Sequence, residues 1–291
     1  MLYKFVRTKK IKINNKRADI GYKLAEHDIL DLYIKDEFLA DSGDELNFKN
    51  IKPNIKIIYE DENILLTDKK AGMIVHPDSR EEINTLINHI TAYLYQKREY
   101  KPELENSFAP ALCNRIDRNT GGIVICAKNA EALRVINEMI KNNQIEKKYL
   151  CLVHGILEKK QAVLTAYHKK LADNNIVKIA DNYFAGAKII KTKYKVLRER
   201  ADISLVEAEL ITGRTHQIRA HFAHINHPLV GENKYSLNRE HNKADKKSGF
   251  FSQALYSYKI LFNTRGSALD YLDGRSFAVD IKDIDFAREF L

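Results

Sequence analysis

Residues 122–128, Gly-Ile-Val-Ile-Cys-Ala-Lys, are a short continuous apolar run. Spanning a bilayer needs ~18 apolar residues in a row, and no run in this chain approaches that. A run this short reads instead as a strand buried inside a sheet. Other segments keep the alternation of a half-buried strand. Val206, Ala208 and Leu210 recur at every second position in 203–211, and that segment pairs with 191–199 as a hairpin around Arg200-Ala201-Asp202. Further strands are expected at Ile55–Glu60, Asn63–Asp68, 147–155 and within 249–262.

Helices fall between these strands without regular alternation. Leu86, Ile87, Ile90, Tyr93 and Leu94 form one helical stripe, and Leu133, Ile136, Met139 and Ile140 form a second. Ile218, Phe222 and Ile225 mark a third helix, and residues 283–291 a short amphipathic one. The expected class is α+β: a mixed, largely antiparallel sheet with packed helices. A length of 291 residues accommodates that domain and a small one beside it.

The small one comes first. Residues 1–50 are rich in lysine and short strands, with Asn14-Asn15 as a turn and 26–34 as a half-buried strand. Asp41–Asn54, with Gly43 and Pro53, reads as a linker, so the domains are placed at 1–50 and 51–291. Residues 238–249 are polar and basic and read as a mobile loop.

The net charge of +9 favours a polyanionic partner, most simply nucleic acid. The N-terminus is basic but has no apolar centre, so it is not a secretory signal and the default compartment is the cytoplasm. A monomer is expected, with no membrane attachment. Cys113, Cys126 and Cys151 are an odd count without zinc-site spacing and read as ordinary thiols. His216, His221, His224 and His227 cluster, but no H-E-x-x-H accompanies them, and no metal site is expected. Neither G-x-G-x-x-G nor G-x-x-x-x-G-K-[ST] occurs, so no NAD or ATP is expected.

Asp117 lies between Arg115 and Arg118, in a polar loop that runs into the buried strand. Roughly a hundred residues later, Gly213 breaks a strand and a helix begins near Thr215. Arg214 sits at that junction, and Arg219 one to two turns in. A buried carboxylate beside a buried arginine stays ionised, because opposite charge lowers its pKa. That suits a nucleophile more than a general acid. On these residues alone a salt bridge that merely pins the loop is the competing account.

Four ordered segments together resemble one family. NRIDRNTGGIVICAK (114–128) is similar to the H-R-L-D-x-x-T-S-G motif of the RluA-type pseudouridine synthases. TGRTHQIRAHFAHINHPLVGENKY (212–235), IYEDENILLTDKKAGMIVHP (58–77) and KKYLCLVHG (147–155) resemble three further motifs of that family, in family order. Residues 4–34 resemble the later part of an S-four-type RNA-binding domain, with Asn15 and His27 where that pattern has glycine. Its first helices have no counterpart before Met1, so a truncated chain or a start at an internal methionine is expected. In the larger domain Asn114 replaces histidine, Gly121 replaces serine, Lys70 replaces proline, and Tyr256 stands where histidine is common.

The resemblance implies a cofactor-free isomerase that converts uridine in RNA to pseudouridine. It implies Asp117 as the catalytic carboxylate, as nucleophile or as base, with Arg219 as its ion-pair partner. It implies Tyr149 as the tyrosine that stacks on the base and assists loss of the carbon 5 proton. Arg115 resembles the residue that fills the space of the extruded base. Arg214, Thr215, His216 and Gln217 are expected to bind substrate, and Lys69, Lys70 and the lysines of 191–195 to contact phosphate. The S-four-like front end favours large-subunit ribosomal RNA over transfer RNA. The rival account is a non-catalytic RNA-binding protein or assembly factor on the same fold.

Overall fold

A computed structural model describes residues 2–19, 21–34, 47–104, 108–171, 176–236 and 238–290. The chain divides into two compact units, Met1–Lys49 and Asn50–Leu291.

In the first unit, helix α1 (Leu2–Arg7) precedes strands β1 (Ile11–Ile13), β2 (Lys16–Arg17) and β3 (Leu30–Leu32), paired antiparallel in the order β2-β1-β3. Asn14 and Asn15 make the β1–β2 turn with φ of 50° and 60°. His27 has φ 72°. Both places where the pattern has glycine and this chain does not are therefore left-handed, a conformation that asparagine tolerates and histidine adopts at a cost. Asn14 helps to hold the second of them, since its amide donates to Asp28 Oδ1 at 2.7 Å and its Oδ1 accepts from Ile29 N–H. The expected half-buried strand at 26–34 shrinks to β3, with Leu30 and Leu32 exposed. Alternation marked a two-faced strand but not which face would be covered. The first part of the linker expected at 41–54, residues 41–46, lies outside the described residues, and Asn47–Asn50 is a 3-10 turn.

The second unit contains β4 (Lys56–Glu60), β5 (Ile64–Lys69), α2 (Leu86–Gln96), β6 (Ala111–Leu112), β7 (Gly121–Ala127) and α3 (Ala130–Lys141). It continues with β8 (Ile145–His154), β9 (Gln161–Lys170), β10 (Val177–Ala180), β11 (Lys188–Arg200) and β12 (Ile203–Leu210). Then come α4 (Gln217–His224), α5 (Arg239–Lys247), β13 (Leu255–Phe262), β14 (Ser276–Ala278) and α6 (Asp285–Arg288). One sheet runs β10-β9-β11-β12-β8-β13-β7-β5-β4, with β14 added to β13 and β6 to β7. Among the described strands only β13 and β7 pair in parallel, so this is the mixed, largely antiparallel α+β fold.

The sheet carries a core on each face. Ile64, Leu66, Ile123 and Ile125 point to one face, with Ile136 and Met139 of α3. Leu65, Val124 and Cys126 point to the other, with Leu86, Ile90 and Leu94 of α2, Ile218 and Phe222 of α4, and Tyr149. A strand with cores on both faces has no polar side, and β7 is therefore apolar throughout. The β11–β12 hairpin closes through Ala201 and Asp202, with Ala201 left-handed at φ 53°.

The parallel crossing of β7 and β13 explains two glycines. Gly122 has φ 114°, and a Cβ there would lie 2.2 Å from the Ser257 carbonyl oxygen. A Cβ at Gly121 would lie 2.6 Å from the Tyr256 ring, whose hydroxyl is hydrogen-bonded to Asp68. Gly121 and Tyr256, two of the positions that leave the family pattern, are thus one fitted pair. Residues 238–249 are not a loop: Asn238 Oδ1 accepts from Glu240 N–H and His241 N–H and starts α5. The composition hid that helix because its surface is polar all round.

Candidate active site

The loop before β7 presents Asp117. Asn114 ties that loop down, accepting the Ile125 N–H at 2.7 Å, which gives its replacement of histidine a structural role. Thr120 N–H donates to the Asp117 carbonyl at 3.0 Å and closes the turn. On α4, Arg219 is buried and spreads its guanidinium over two carboxylates. Nε donates to Glu232 Oε2 at 2.6 Å, Nη2 to Glu232 Oε1 at 2.8 Å, and Nη1 to Asp117 Oδ2 at 2.9 Å. Burial acts to lower the Arg219 pKa, but the hydrogen bond and charge of Glu232, with the charge of Asp117, outweigh it and raise it.

Glu232 is fully buried, while the Asp117 side chain keeps 27% of its surface exposed. The arginine fork is thus satisfied by Glu232. Asp117 takes a single N–H, and its Oδ1 has no hydrogen-bond partner among the described residues. Glu232 was missed in the sequence. Its signal was the acid in Gly231-Glu232, whose partner lies thirteen residues earlier on a helix not yet docked.

Tyr149, at the middle of β8, lies on the sheet face packed by α4. Burial pushes its phenol pKa up to about 12, and the Asp117 charge adds to that. A phenol held neutral offers a flat, uncharged surface for a base to stack on. His216 begins α4 in a left-handed conformation, φ 53°. Its Nδ1 is 2.6 Å from the Tyr235 hydroxyl and its Nε2 is 3.8 Å from Asp117 Oδ2. Burial pulls its pKa down to about 4, so the ring facing Asp117 is neutral.

The remaining expected residues divide. Arg115 is exposed on the Asp117 loop, and Arg214 and Thr215 are exposed ahead of α4, which starts two residues later than expected. With Lys70, Arg118 and Lys234 they put five exposed cations on the segments that form the site. Gln217 faces inward. Its Oε1 accepts from Thr212 Oγ1 and Arg214 N–H, and its Nε2 donates to the Lys191 carbonyl and Thr192 Oγ1, so it holds the 212–216 turn.

Lys69, expected at a phosphate, is 1% exposed. Its ammonium donates to the carbonyls of Lys70, Met73 and Arg118 at 3.0, 2.7 and 2.9 Å. It clasps the 70–73 loop to the Asp117 loop and cannot reach RNA. Burial draws its pKa down to about 8, against the opposing pull of the Asp117 charge. Lys69→Met keeps the aliphatic volume but strips three carbonyls of their donor. The expected loss is about 3 kcal/mol of stability in this unit, read by denaturant unfolding, with a fall in turnover. Unchanged stability would contradict the clasp.

The lysines of 191–195 are also misplaced as phosphate contacts. Lys193 and Lys195 stand in register with Glu209 and Glu207 of β12, on the sheet face opposite the one that carries Tyr194, Ala208 and Tyr149. Register decides this, and register is not visible in composition.

The four clustered histidines diverge. His216 meets Tyr235, His221 meets Thr192, His224 meets Asp181, and His227 meets the His154 carbonyl. Among the described residues no three His, Cys, Asp or Glu converge as a metal site would need. No described helix is long and apolar enough to cross a membrane.

Residues 63–224 match the RNA pseudouridylate synthase family. The chain is 36% identical to an uncharacterised RNA pseudouridine synthase of Mycoplasma genitalium, over 89% of this chain and 80% of that one. It is 33% identical to the ribosomal large subunit pseudouridine synthase C of Vibrio vulnificus, over 82% of this chain and 72% of that one. In fold it is similar to human RNA pseudouridylate synthase domain containing 4, with a TM-score of 0.60 and 21% identity, covering 77% of this chain and 88% of that one. The order of its motifs, its mixed sheet and these relatives lead to one conclusion: the chain belongs to the RluA-type RNA pseudouridine synthases, which are isomerases.

Proposed function

We propose that this enzyme isomerises uridine in large-subunit ribosomal RNA, with Asp117 as the reacting carboxylate. The observation that carries the assignment is the division of labour at Arg219. Glu232 saturates the arginine fork, and Asp117 keeps one oxygen without a hydrogen bond on a partly exposed side chain. The isomerisation breaks the bond from ribose carbon 1′ to base nitrogen 1 and joins carbon 1′ to carbon 5. Carbon 5 loses a proton and nitrogen 1 gains one, so nothing is oxidised and no group is added. As nucleophile or as base, Asp117 needs an ionised oxygen with a free lone pair, held by one fixed donor.

The uridine leaves its stack to reach this loop, at a cost of a few kcal/mol. Arg115, exposed two residues before Asp117, fills the vacated space, and Tyr149 stacks on the base. His216 and the exposed Arg214 and Thr215 bind the flanking nucleotides. Residues 1–50 add an S-four-like RNA contact to the catalytic unit at 51–291.

The name of the Vibrio relative supports ribosomal RNA as the substrate class. Mapping pseudouridines in RNA from cells with and without the gene tests this. The expected result is loss of one or more sites in large-subunit RNA. Losses confined to transfer RNA would contradict it.

A further inference from the structure

Helix α5 is polar on every side, so no apolar stripe docks it. It is held by Asp245, a buried carboxylate. Asp245 Oδ2 accepts the Gly231 N–H at 2.8 Å and lies 3.0 Å from His154 Nε2. The His154 ring stacks on His241 at 4.1 Å and 14°. The helix thereby closes residues 231–245 on themselves. That segment carries Glu232, which holds Arg219, and Tyr235, which holds His216.

With Asp245, His241 and Asn242 turned inward, the opposite stripe is basic. Arg239, Lys243, Lys246 and Lys247 fall at i, i+4, i+7 and i+8 and are all exposed. None of the four is paired with a carboxylate among the described residues, and Glu240 is the one acid on the exposed side of the helix. The lysines of β11 contrast with this in position: Lys193 lies 3.5 Å from Glu209, and Lys191, Lys193 and Lys195 share the sheet face opposite the one that carries Tyr149. A basic stripe whose charges are unanswered, on a helix that clasps the Arg219-holding segment, has a charge requirement of its own.

We propose that α5 is a docking strap for the RNA backbone, taking consecutive phosphates on Arg239, Lys243, Lys246 and Lys247 beside the site that receives the uridine. This rests on the reading of RNA as substrate. The stripe is about 12 Å long, which at ~3.4 Å per phosphate along one strand spans about four phosphates. Phosphate contacts of this kind set register and orientation without reading sequence.

Two triple variants of the full chain test it. Lys243→Gln/Lys246→Gln/Lys247→Gln removes three charges from α5, and Lys191→Gln/Lys193→Gln/Lys195→Gln removes three from β11. Each is titrated with an unmodified transcript of large-subunit ribosomal RNA across a salt series. The α5 variant is expected to bind about tenfold more weakly, with its salt slope reduced by about 2, and the β11 variant to bind like wild type. Equal losses in both would reduce the effect to net charge and overturn the proposal, as would wild-type binding by the α5 variant. Because the readout is binding, it is separate from catalysis. A wild-type protein that binds the transcript and makes no pseudouridine would sink the functional reading and leave this comparison standing.

Discussion

Replacing Asp117 with asparagine stops pseudouridine formation and leaves RNA binding intact. Asparagine keeps the shape of the side chain and an oxygen that can accept from Arg219 Nη1, so the loop held by Asn114 and Lys69 stays in place. What is lost is the negative charge and the lone pair on the free oxygen. Removing a reacting group costs on the order of 10⁴-fold or more in turnover. The affinity for RNA holds or tightens, because one negative charge leaves a surface that meets phosphate. Asp117→Ala behaves alike. Single-turnover assays with direct binding measurements separate the two effects, and substantial turnover by either variant would remove Asp117 from the chemistry.

Arg219→Ala has the second large effect, on folding as well as on rate. Glu232 is fully buried and accepts two hydrogen bonds from Arg219 and one from the Lys234 N–H, so Arg219 is its charged partner. Taking away one member of a buried ion pair costs about 3–5 kcal/mol, because the other charge is left without a partner. Asp117 loses its fixed donor at the same time. Arg219→Lys restores a charge but not the fork, and one ammonium cannot serve Glu232 at two oxygens and Asp117 at a third. Both variants are expected to lower the unfolding midpoint and cripple turnover, with Lys the milder in stability. Adding Glu232→Gln to Arg219→Ala removes the stranded charge and recovers part of the stability but not the activity. Wild-type turnover in Arg219→Ala would shift the pairing to another residue, with Arg214 the first to examine.

What could be seen in the sequence was what periodicity and turn chemistry control. β7, the stripes of α2 and α3, and the turn at Arg200–Asp202 follow from local patterns that the packed structure keeps. Asp117, Arg219 and Tyr149 were named from motifs, and the fold brings the first two into direct contact. Failures came where a residue's environment depends on distant pairing. Lys69 is the last residue of β5 and follows Leu65 and Thr67 onto the inner face, so its alternation pointed inward while its charge pointed outward. The lysines of 191–195 needed the β11–β12 register before their face could be known. α5 carries a start signal at Asn238 but no apolar period, since what docks it is one buried carboxylate. Glu232 shows in the sequence only as an acid after Gly231, because its partner is on another element.

Pseudouridine formation exchanges the carbon 5–hydrogen bond for a bond to ribose, so tritium placed at carbon 5 of uridine is released to water at each turnover. The direct measurement is tritium release from labelled large-subunit ribosomal RNA by wild type and by Asp117→Asn, at matched RNA occupancy. Wild type is expected to release tritium, and the variant none above background. Release by Asp117→Asn at the wild-type rate would rule out Asp117 as the reacting carboxylate.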